Sequence, residues 1–163
     1  MTMELIRLSA RSVRDLLKDR QVSPLEILDA LEHRISEVDS AVNALPTLCF
    51  ERARQRARER DLSGLPLAGI PVAIKDLLPV SGVRTTFGSM AYRDHIPEVS
   101  DLLVERIEAA GGIVYAKSNT PEFGAGANTF NDAFGFTRNP WNTALSAAGS
   151  SGGSAVALAT GMA

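Results

Sequence analysis

A lysine at the end of an apolar run is the first residue of this sequence whose placement could support chemistry. Lys75 closes the stretch "IPVAIKD", in which Ile70 to Ile74 predict a short buried strand. Its amine could reach the surface or pair with Asp76, which is the more common outcome for such a lysine. Alternatively, partial burial lowers the pKa of Lys75, and the neutral amine acts as a base.

A glycine–serine loop near the end of the chain is the second candidate. The stretch "GSSGGS", residues 149–154, leads into the apolar run "AVALA". A flexible linker is disfavoured because apolar sequence flanks the loop. A phosphate-binding loop before a helix would use backbone N–H groups, but the G-x-x-x-x-G-K-[ST] pattern is absent. The third interpretation is a catalytic serine in a tight turn, where glycines let a substrate approach the backbone.

Helices are predicted for most of the first sixty residues. The segments "LSARSVRDLLKDR", "SPLEILDALEHRISEVD" and "FERARQRARERD" have helical spacing or helical composition. The second segment opens with a capping signal, in which Ser23 caps, Pro24 takes the first helical position and Glu26 completes a capping box. Its apolar stripe predicts a helix packed on a core.

Strands enter the pattern after Gly64. The strand that ends at Lys75 is followed by "SDLLVERIEAAGG", a predicted helix that starts at Ser100 and stops at Gly111, and then by the strand "IVYAK". We further expect a helical turn capped by Thr120 in "NTPEFG", a loop in "RNPWN" and a last helix that ends by Gly161. Strand, helix and strand in this order predict an α/β fold.

Composition and charge limit the function classes. The formal net charge of −2 provides no basic surface for nucleic acid or for anionic membranes. We find no signal peptide and no apolar run long enough to span a bilayer, so a cytoplasmic location is expected. Cys49, the single cysteine, excludes an internal disulfide and a cysteine-based zinc site. We expect His33 and His95 to be solvated surface residues.

Four motifs in order give the chain a specific resemblance. "GIPVAIKD", "NTPEFG", "RNPWN" and "GSSGGSAVALATG" resemble the N-terminal part of the amidase signature family. The resemblance covers the whole chain. It implies an α/β fold in which a mixed β-sheet core is wrapped by α-helices. Residues 1–163 would be the N-terminal part of one such domain, incomplete and without an internal boundary.

The same resemblance implies a Ser–cis-Ser–Lys catalytic set. Lys75 corresponds to the base, and Ser150 to the bridging serine, which follows a cis peptide bond and also contacts substrate. Gly124 corresponds to a position that lines the acyl pocket. The family often has two glycines before the serines, and here the first of them is Ala148. Because Gly149 still precedes Ser150, this departure changes little.

The resemblance also implies an activity and its alternatives. The expected reaction is hydrolysis of a small carboxamide through a serine acyl-enzyme, without a metal or organic cofactor, and the family suggests a homodimer. The nucleophilic serine of the family lies in a later glycine-rich segment, so we expect it beyond Ala163 and the chain to be truncated. The alternatives are the amidase subunit of glutamyl-tRNA amidotransferase, which passes ammonia to a partner, and an inactive fragment or pseudoenzyme.

Overall fold

Three helices form the N-terminal part of the protein. The computed structural model describes residues 5–163, and its first helices are α1 (Ala10–Lys18), α2 (Pro24–Val42) and α3 (Phe50–Glu59). The capping box at the start of α2 forms as predicted: Ser23 Oγ accepts from the Glu26 amide, and the Glu26 carboxylate accepts from the Ser23 amide. All three helices match the segments in which the sequence pattern predicted them.

A three-stranded mixed sheet lies against these helices. Its strands are β1 (Thr47–Leu48), β2 (Pro71–Lys75) and β3 (Ile113–Ser118), in the order β1-β3-β2. The strand β2 runs parallel to β3, whereas β1 runs antiparallel to β3. Helix α4 (Leu102–Ala109) connects β2 to β3, so the predicted strand–helix–strand unit is present. The sequence pattern did not predict β1, which has only two residues.

The segment after β3 is built from short elements. A hairpin of β4 (Phe130–Asn131) and β5 (Gly135–Phe136) precedes a second hairpin of β6 (Arg138–Asn139) and β7 (Asn142–Ser146). The prediction of a plain loop in "RNPWN" is therefore wrong at both ends of that stretch. The last helix, α5 (Gly152–Ala159), follows the glycine–serine loop as expected.

Two helix starts differ from the prediction. Asp101 caps α4 by accepting from the Leu103 amide, and Ser100 instead accepts from the Ser81 amide. The turn at Glu122–Gly124 is a 3₁₀ turn that follows Pro121, and Thr120 makes no capping bond to it. A capping residue needs extended backbone and a free amide within reach, which composition alone does not identify.

The sheet separates two apolar clusters. The larger cluster joins α1, α2, α3 and α5 to one face of β3, with Leu17, Leu28, Phe50, Tyr115 and Val156 among its members. The smaller cluster lies on the other face and contains Ile74, Val80, Val83, Val104 and Val114. The sheet is thus covered by helices on both faces. This is the α/β fold that the strand–helix–strand order predicted, with the mixed sheet that the family resemblance implied. In residues 5–163, no helix combines the length and the apolar character that a membrane crossing needs.

Candidate active site

The side chain of Lys75 meets the glycine–serine loop. Lys75 is the last residue of β2, and its Nζ donates to Ser150 Oγ at 2.8 Å and to Ser151 Oγ at 3.0 Å. The structure therefore brings together the two residues for which the sequence predicted catalytic roles. Those roles remain predictions, because the geometry establishes only proximity and hydrogen bonding.

Side chains alternate between the faces of β2, and this places Lys75 and Asp76 on opposite sides. Asp76 is fully buried and contacts Lys117 of β3, with 2.9 Å between Asp76 Oδ1 and Lys117 Nζ. The predicted pairing of Lys75 with Asp76 is wrong here, and the Lys75 side chain is partly exposed. Asp76 already has a cationic partner, so Lys75 is left to the two serines.

The environment of Lys75 makes its ammonium easier to deprotonate than that of a lysine in water. Partial burial lowers the pKa of Lys75 from its usual value, because a charged ammonium loses hydration when it leaves water. A neutral amine has a lone pair and can take a proton from a hydroxyl, which a fully charged ammonium cannot. A neutral Lys75 can therefore accept a proton from Ser150, and Ser150 can in turn accept one from a third group.

The loop that carries Ser150 is held by a buried threonine. Thr129 donates from its Oγ1 to the Ala148 carbonyl at 2.9 Å and accepts from the Gly152 amide at 3.0 Å. These two bonds bracket the three residues between Ala148 and Gly152. The Gly149–Ser150 peptide bond is cis. Thr129 was not singled out from the sequence, and it lies far from the serines in the chain.

Glycines allow α5 to approach the sheet and its neighbours closely. A Cβ at Gly153 would lie 2.4 Å from the Asn119 amide nitrogen, and a Cβ at Gly152 would meet the Thr129 side chain. One turn of the helix is fixed further by a hydrogen bond of 2.7 Å between Ser118 Oγ and Ser154 Oγ. Ser118 ends β3 beside Lys75 of β2. The parallel strands thus place their last residues at one edge, next to the loop.

The position of the end of β3 beside Lys75 could have been predicted from the sequence, but it was not. The carboxyl ends of parallel strands meet at the same edge of a sheet, so the end of "IVYAKS" could have been placed beside Lys75. Lys117 and Ser118 would then have been candidates for neighbours of the site. Their partners could not have been named, because the register of the two strands is set by contacts that are distant in sequence.

Gly124 was predicted to contact substrate, and the structure places it in the 3₁₀ turn. Its backbone φ is +72°, and a Cβ there would lie 2.6 Å from Leu77 Cδ1. The turn thus packs on the residue two positions after Lys75. The hydrogen bonds of Gly124 go to Pro121 and Gly126 rather than to Ser150. A contact with substrate remains a prediction.

The other candidates lie away from this edge. His33 is exposed and close to Glu37, and His95 is exposed beside Phe87 and Tyr92. In the part of the chain that the structure describes, His, Cys, Asp and Glu side chains do not form a group of three or more that could hold a metal ion. The absence of a cofactor stays a prediction.

Comparison with known proteins assigns the family. The family model described as Amidase matches residues 26–163. The chain belongs to the amidase family. It spans about a third of the length of the relatives described next.

Amidase relatives of different kinds are similar to the chain. A glutamyl-tRNA(Gln) amidotransferase subunit from Methylacidiphilum infernorum (isolate V4) is 41% identical over 157 residues, which are 96% of this chain and 32% of the relative. The solved structure of 6-aminohexanoate cyclic dimer hydrolase has a TM-score of 0.89 and 32% identity, covering 97% of this chain and 33% of that one. A bacterial aryl acylamidase of the amidase signature family has a TM-score of 0.87 and 30% identity, covering 95% and 34%. The amidase signature fold predicted from the four motifs is confirmed.

Proposed function

We propose that the protein hydrolyses the C–N bond of a carboxamide through a serine acyl-enzyme. Lys75 is the base, and Ser150 is the hydroxyl that passes a proton between Lys75 and a nucleophilic serine. In this proposal the nucleophile belongs to a later segment of the full-length protein, as the family resemblance suggests. The observation that carries the proposal is the 2.8 Å hydrogen bond between Lys75 Nζ and Ser150 Oγ, on a lysine whose pKa is lowered by burial.

The proposed reaction has two stages. The nucleophilic serine attacks the amide carbonyl carbon while its proton moves to Ser150, and the proton of Ser150 moves to Lys75. The tetrahedral intermediate then expels ammonia or an amine, which leaves with a proton returned from Lys75 through Ser150. Water attacks the acyl-enzyme by the same proton route and releases the carboxylic acid. This route needs no metal or organic cofactor.

Burial supports the use of a lysine in the role that histidine more usually has. A base works best when its pKa lies near the working pH, and lysine in water is too basic for that. The burial of Lys75 moves its pKa in the required direction. The two serine hydroxyls also give the amine fixed hydrogen-bond partners, so its lone pair or proton points toward Ser150.

Substitutions in the full-length protein test this mechanism. We expect Lys75→Ala and Ser150→Ala each to lower kcat for carboxamides by about 10²–10⁴-fold, the range that general acid–base groups contribute. Ser151→Ala serves as a matched control and should lower kcat much less. Labelling by a serine-directed fluorophosphonate reports whether a nucleophile is present. Near-normal turnover by both Lys75→Ala and Ser150→Ala would contradict the mechanism.

A second candidate function is that of an ammonia-donating subunit. It is favoured by the 41% identity with the glutamyl-tRNA(Gln) amidotransferase subunit, whose name describes a protein that works within a complex. Both candidates share the chemistry proposed for Lys75 and Ser150, and they differ in substrate and partner. Glutaminase activity together with co-purification of partner subunits would favour this candidate. Hydrolysis of other carboxamides by the isolated full-length protein would favour the stand-alone amidase.

A homodimer and a small-molecule substrate remain proposals that follow from the family, and a cytoplasmic location remains a proposal that follows from the sequence. An inactive relative is the remaining alternative, and it has a distinct signature. A full-length protein that folds but does not react with fluorophosphonates and does not release ammonia or amine from any carboxamide would have this role.

A further inference from the structure

A buried ion pair lies directly behind the proposed base. Asp76 follows Lys75 in the chain, and its carboxylate contacts the ammonium of Lys117 at 2.9 Å, with exposed side-chain fractions of 1% and 0%. Two buried charges are costly to desolvate, and such a pair is retained only where its remaining donors and acceptors are satisfied.

Every donor of the Lys117 ammonium has a partner. In addition to Asp76, its Nζ donates to the Leu78 carbonyl at 2.9 Å and to Thr85 Oγ1 at 2.8 Å. On the other side, Asp76 Oδ2 accepts from the Thr86 amide at 3.0 Å and from Thr86 Oγ1 at 2.6 Å. The ion pair is thus surrounded by four hydrogen bonds, two to the Lys117 ammonium and two to Asp76 Oδ2, while Asp76 Oδ1 has the Lys117 ammonium as its contact.

This network fixes the end of β2. The Asp76 amide donates to the Ser118 carbonyl at 3.0 Å, so the residue after Lys75 is held by its backbone and by its side chain. Lys75 lies between Ile74, which is buried, and Asp76, which is anchored. Neither neighbour can rotate without breaking buried contacts. The direction in which the Lys75 side chain leaves the strand is therefore set by the network.

The network also balances charge next to the base. An uncompensated carboxylate beside Lys75 would favour its ammonium form, since an opposite charge stabilises the charged state. Lys117 supplies the compensating charge from β3. Besides Asp76, the side chains that hydrogen-bond the two lysines offer hydroxyls: Ser150 and Ser151 at Lys75, and Thr85 at Lys117. A further titratable group near Lys117 is the Cys49 thiol, whose pKa burial raises to about 11.

We propose that Asp76 and Lys117 are the positioning pair of Lys75: they orient the end of β2 and cancel the adjacent negative charge, so that the amine can serve as a base. This inference rests on the proposed function and adds two residues to it. Neither Asp76 nor Lys117 touches the reacting atoms in this scheme. The lowered pKa of Lys75 is consistent with it, because burial acts there without an opposing charge.

The decisive readout is the acidic limb of the pH profile of kcat/KM in the full-length protein. Lys117→Met removes the compensating cation and should move this limb to higher pH, because the carboxylate then favours the ammonium of Lys75. Asp76→Asn leaves the Lys117 cation without its carboxylate and should move the acidic limb to lower pH, because a nearby positive charge disfavours the ammonium of Lys75. We expect each shift to be about 0.5–1 pH unit. The double variant is neutral at both positions and should return toward the wild-type limb.

Three further variants separate positioning from simple stability. Lys117→Arg restores the charge and should restore the position of the limb even where kcat stays low. Thr86→Val removes one hydrogen bond from Asp76 without changing charge, and we expect kcat to fall by about 3–10-fold at unchanged KM. An exposed pair, Arg20 with Asp61, provides the matched control, and Asp61→Asn should leave the profile unchanged.

The outcomes divide clearly. Opposite shifts in the single variants with recovery in the double variant support the proposal. Coincident acidic limbs in all of these variants overturn it, even where kcat falls, since a structural role alone would produce that result. Where the charge variants do not fold, wild-type kcat in Thr86→Val overturns it. Lys75→Ala, measured in parallel, separates failure of this inference from failure of the proposed function. Full activity of Lys75→Ala would overturn both. Loss of activity in Lys75→Ala, together with unchanged pH profiles in the variants of Asp76 and Lys117, would overturn this inference only.

Discussion

Ser118 and Ser154 share a hydrogen bond of 2.7 Å that joins the end of β3 to the first turn of α5. Because Ser118 is the strand partner of Lys75, this bond ties the helix that follows the serine loop to the strand edge that holds the base. The distance between Lys75 and Ser150 thus depends on two connections to the sheet, one through the lysine and one through this serine pair.

Removal of one hydroxyl should loosen that connection. We expect Ser154→Ala to lower the free energy of unfolding by about 1 kcal/mol, the net value of a neutral hydrogen bond, and to lower kcat several-fold without a matching change in KM. Chemical denaturation and steady-state kinetics of the full-length protein measure both effects. The Ser118→Ala/Ser154→Ala double variant is the control. If the double variant loses as much stability as the two single variants together, the two serines do not interact energetically.

Thr129 offers a sharper test of how the loop is held. Thr129→Val keeps the shape but loses the hydroxyl that bonds to the Ala148 carbonyl and the Gly152 amide. The buried Gly152 amide and the part-buried Ala148 carbonyl then lose this partner, and we expect a loss of about 1–3 kcal/mol in stability. Thr129→Ser retains the hydroxyl and should recover most of it. Equal stabilities for the valine and serine variants, measured by urea unfolding, would show that the hydroxyl does not hold the loop.

Local signals explain why much of the fold could be predicted. The start of α2 is specified by Ser23, Pro24 and Glu26 within four consecutive residues, and the strand β2 is specified by its own apolar run. The strand–helix–strand unit follows from the order of these elements. Lys75 could be identified because it ends an apolar run, and Ser150 because it lies in a glycine–serine loop before a helix. The family resemblance then predicted that the two residues act together.

Elements that depend on distant partners were not predicted. The strand β1 and the strands β4 to β6 have two residues each, so they carry no periodic pattern, and only pairing with other segments defines them. The same reason applies to Lys117. It becomes the partner of Asp76 through the register that sets Ile74 opposite Lys117, which no local pattern reveals.

Gly153 should tolerate no side chain. A Cβ there would lie 2.4 Å from the Asn119 amide nitrogen and 2.8 Å from the Ala44 carbonyl oxygen, and both are backbone atoms that cannot move aside cheaply. We expect Gly153→Ala to lower the free energy of unfolding by about 2–3 kcal/mol, a typical cost of overpacking. Gly64 has open space around its Cβ position, so Gly64→Ala is the matched control and should change stability little. Similar melting temperatures for the two variants would contradict this packing argument.

The pH dependence of turnover should follow the protonation of Lys75. Its pKa is lowered from 10.5 by burial. We therefore expect kcat/KM to rise with pH as the ammonium loses its proton, with a midpoint below 10.5 and a plateau above that midpoint. The sign for stability is the same. In the interval between the lowered pKa and 10.5 the unfolded chain binds the extra proton, so the contribution of Lys75 to the free energy of unfolding increases with pH. Lys75→Arg keeps the positive charge throughout and should remain inactive across the whole range, because guanidinium titrates above pH ~12. A wild-type profile that is flat from neutral to alkaline pH, or an arginine variant that retains turnover, would exclude Lys75 as the base.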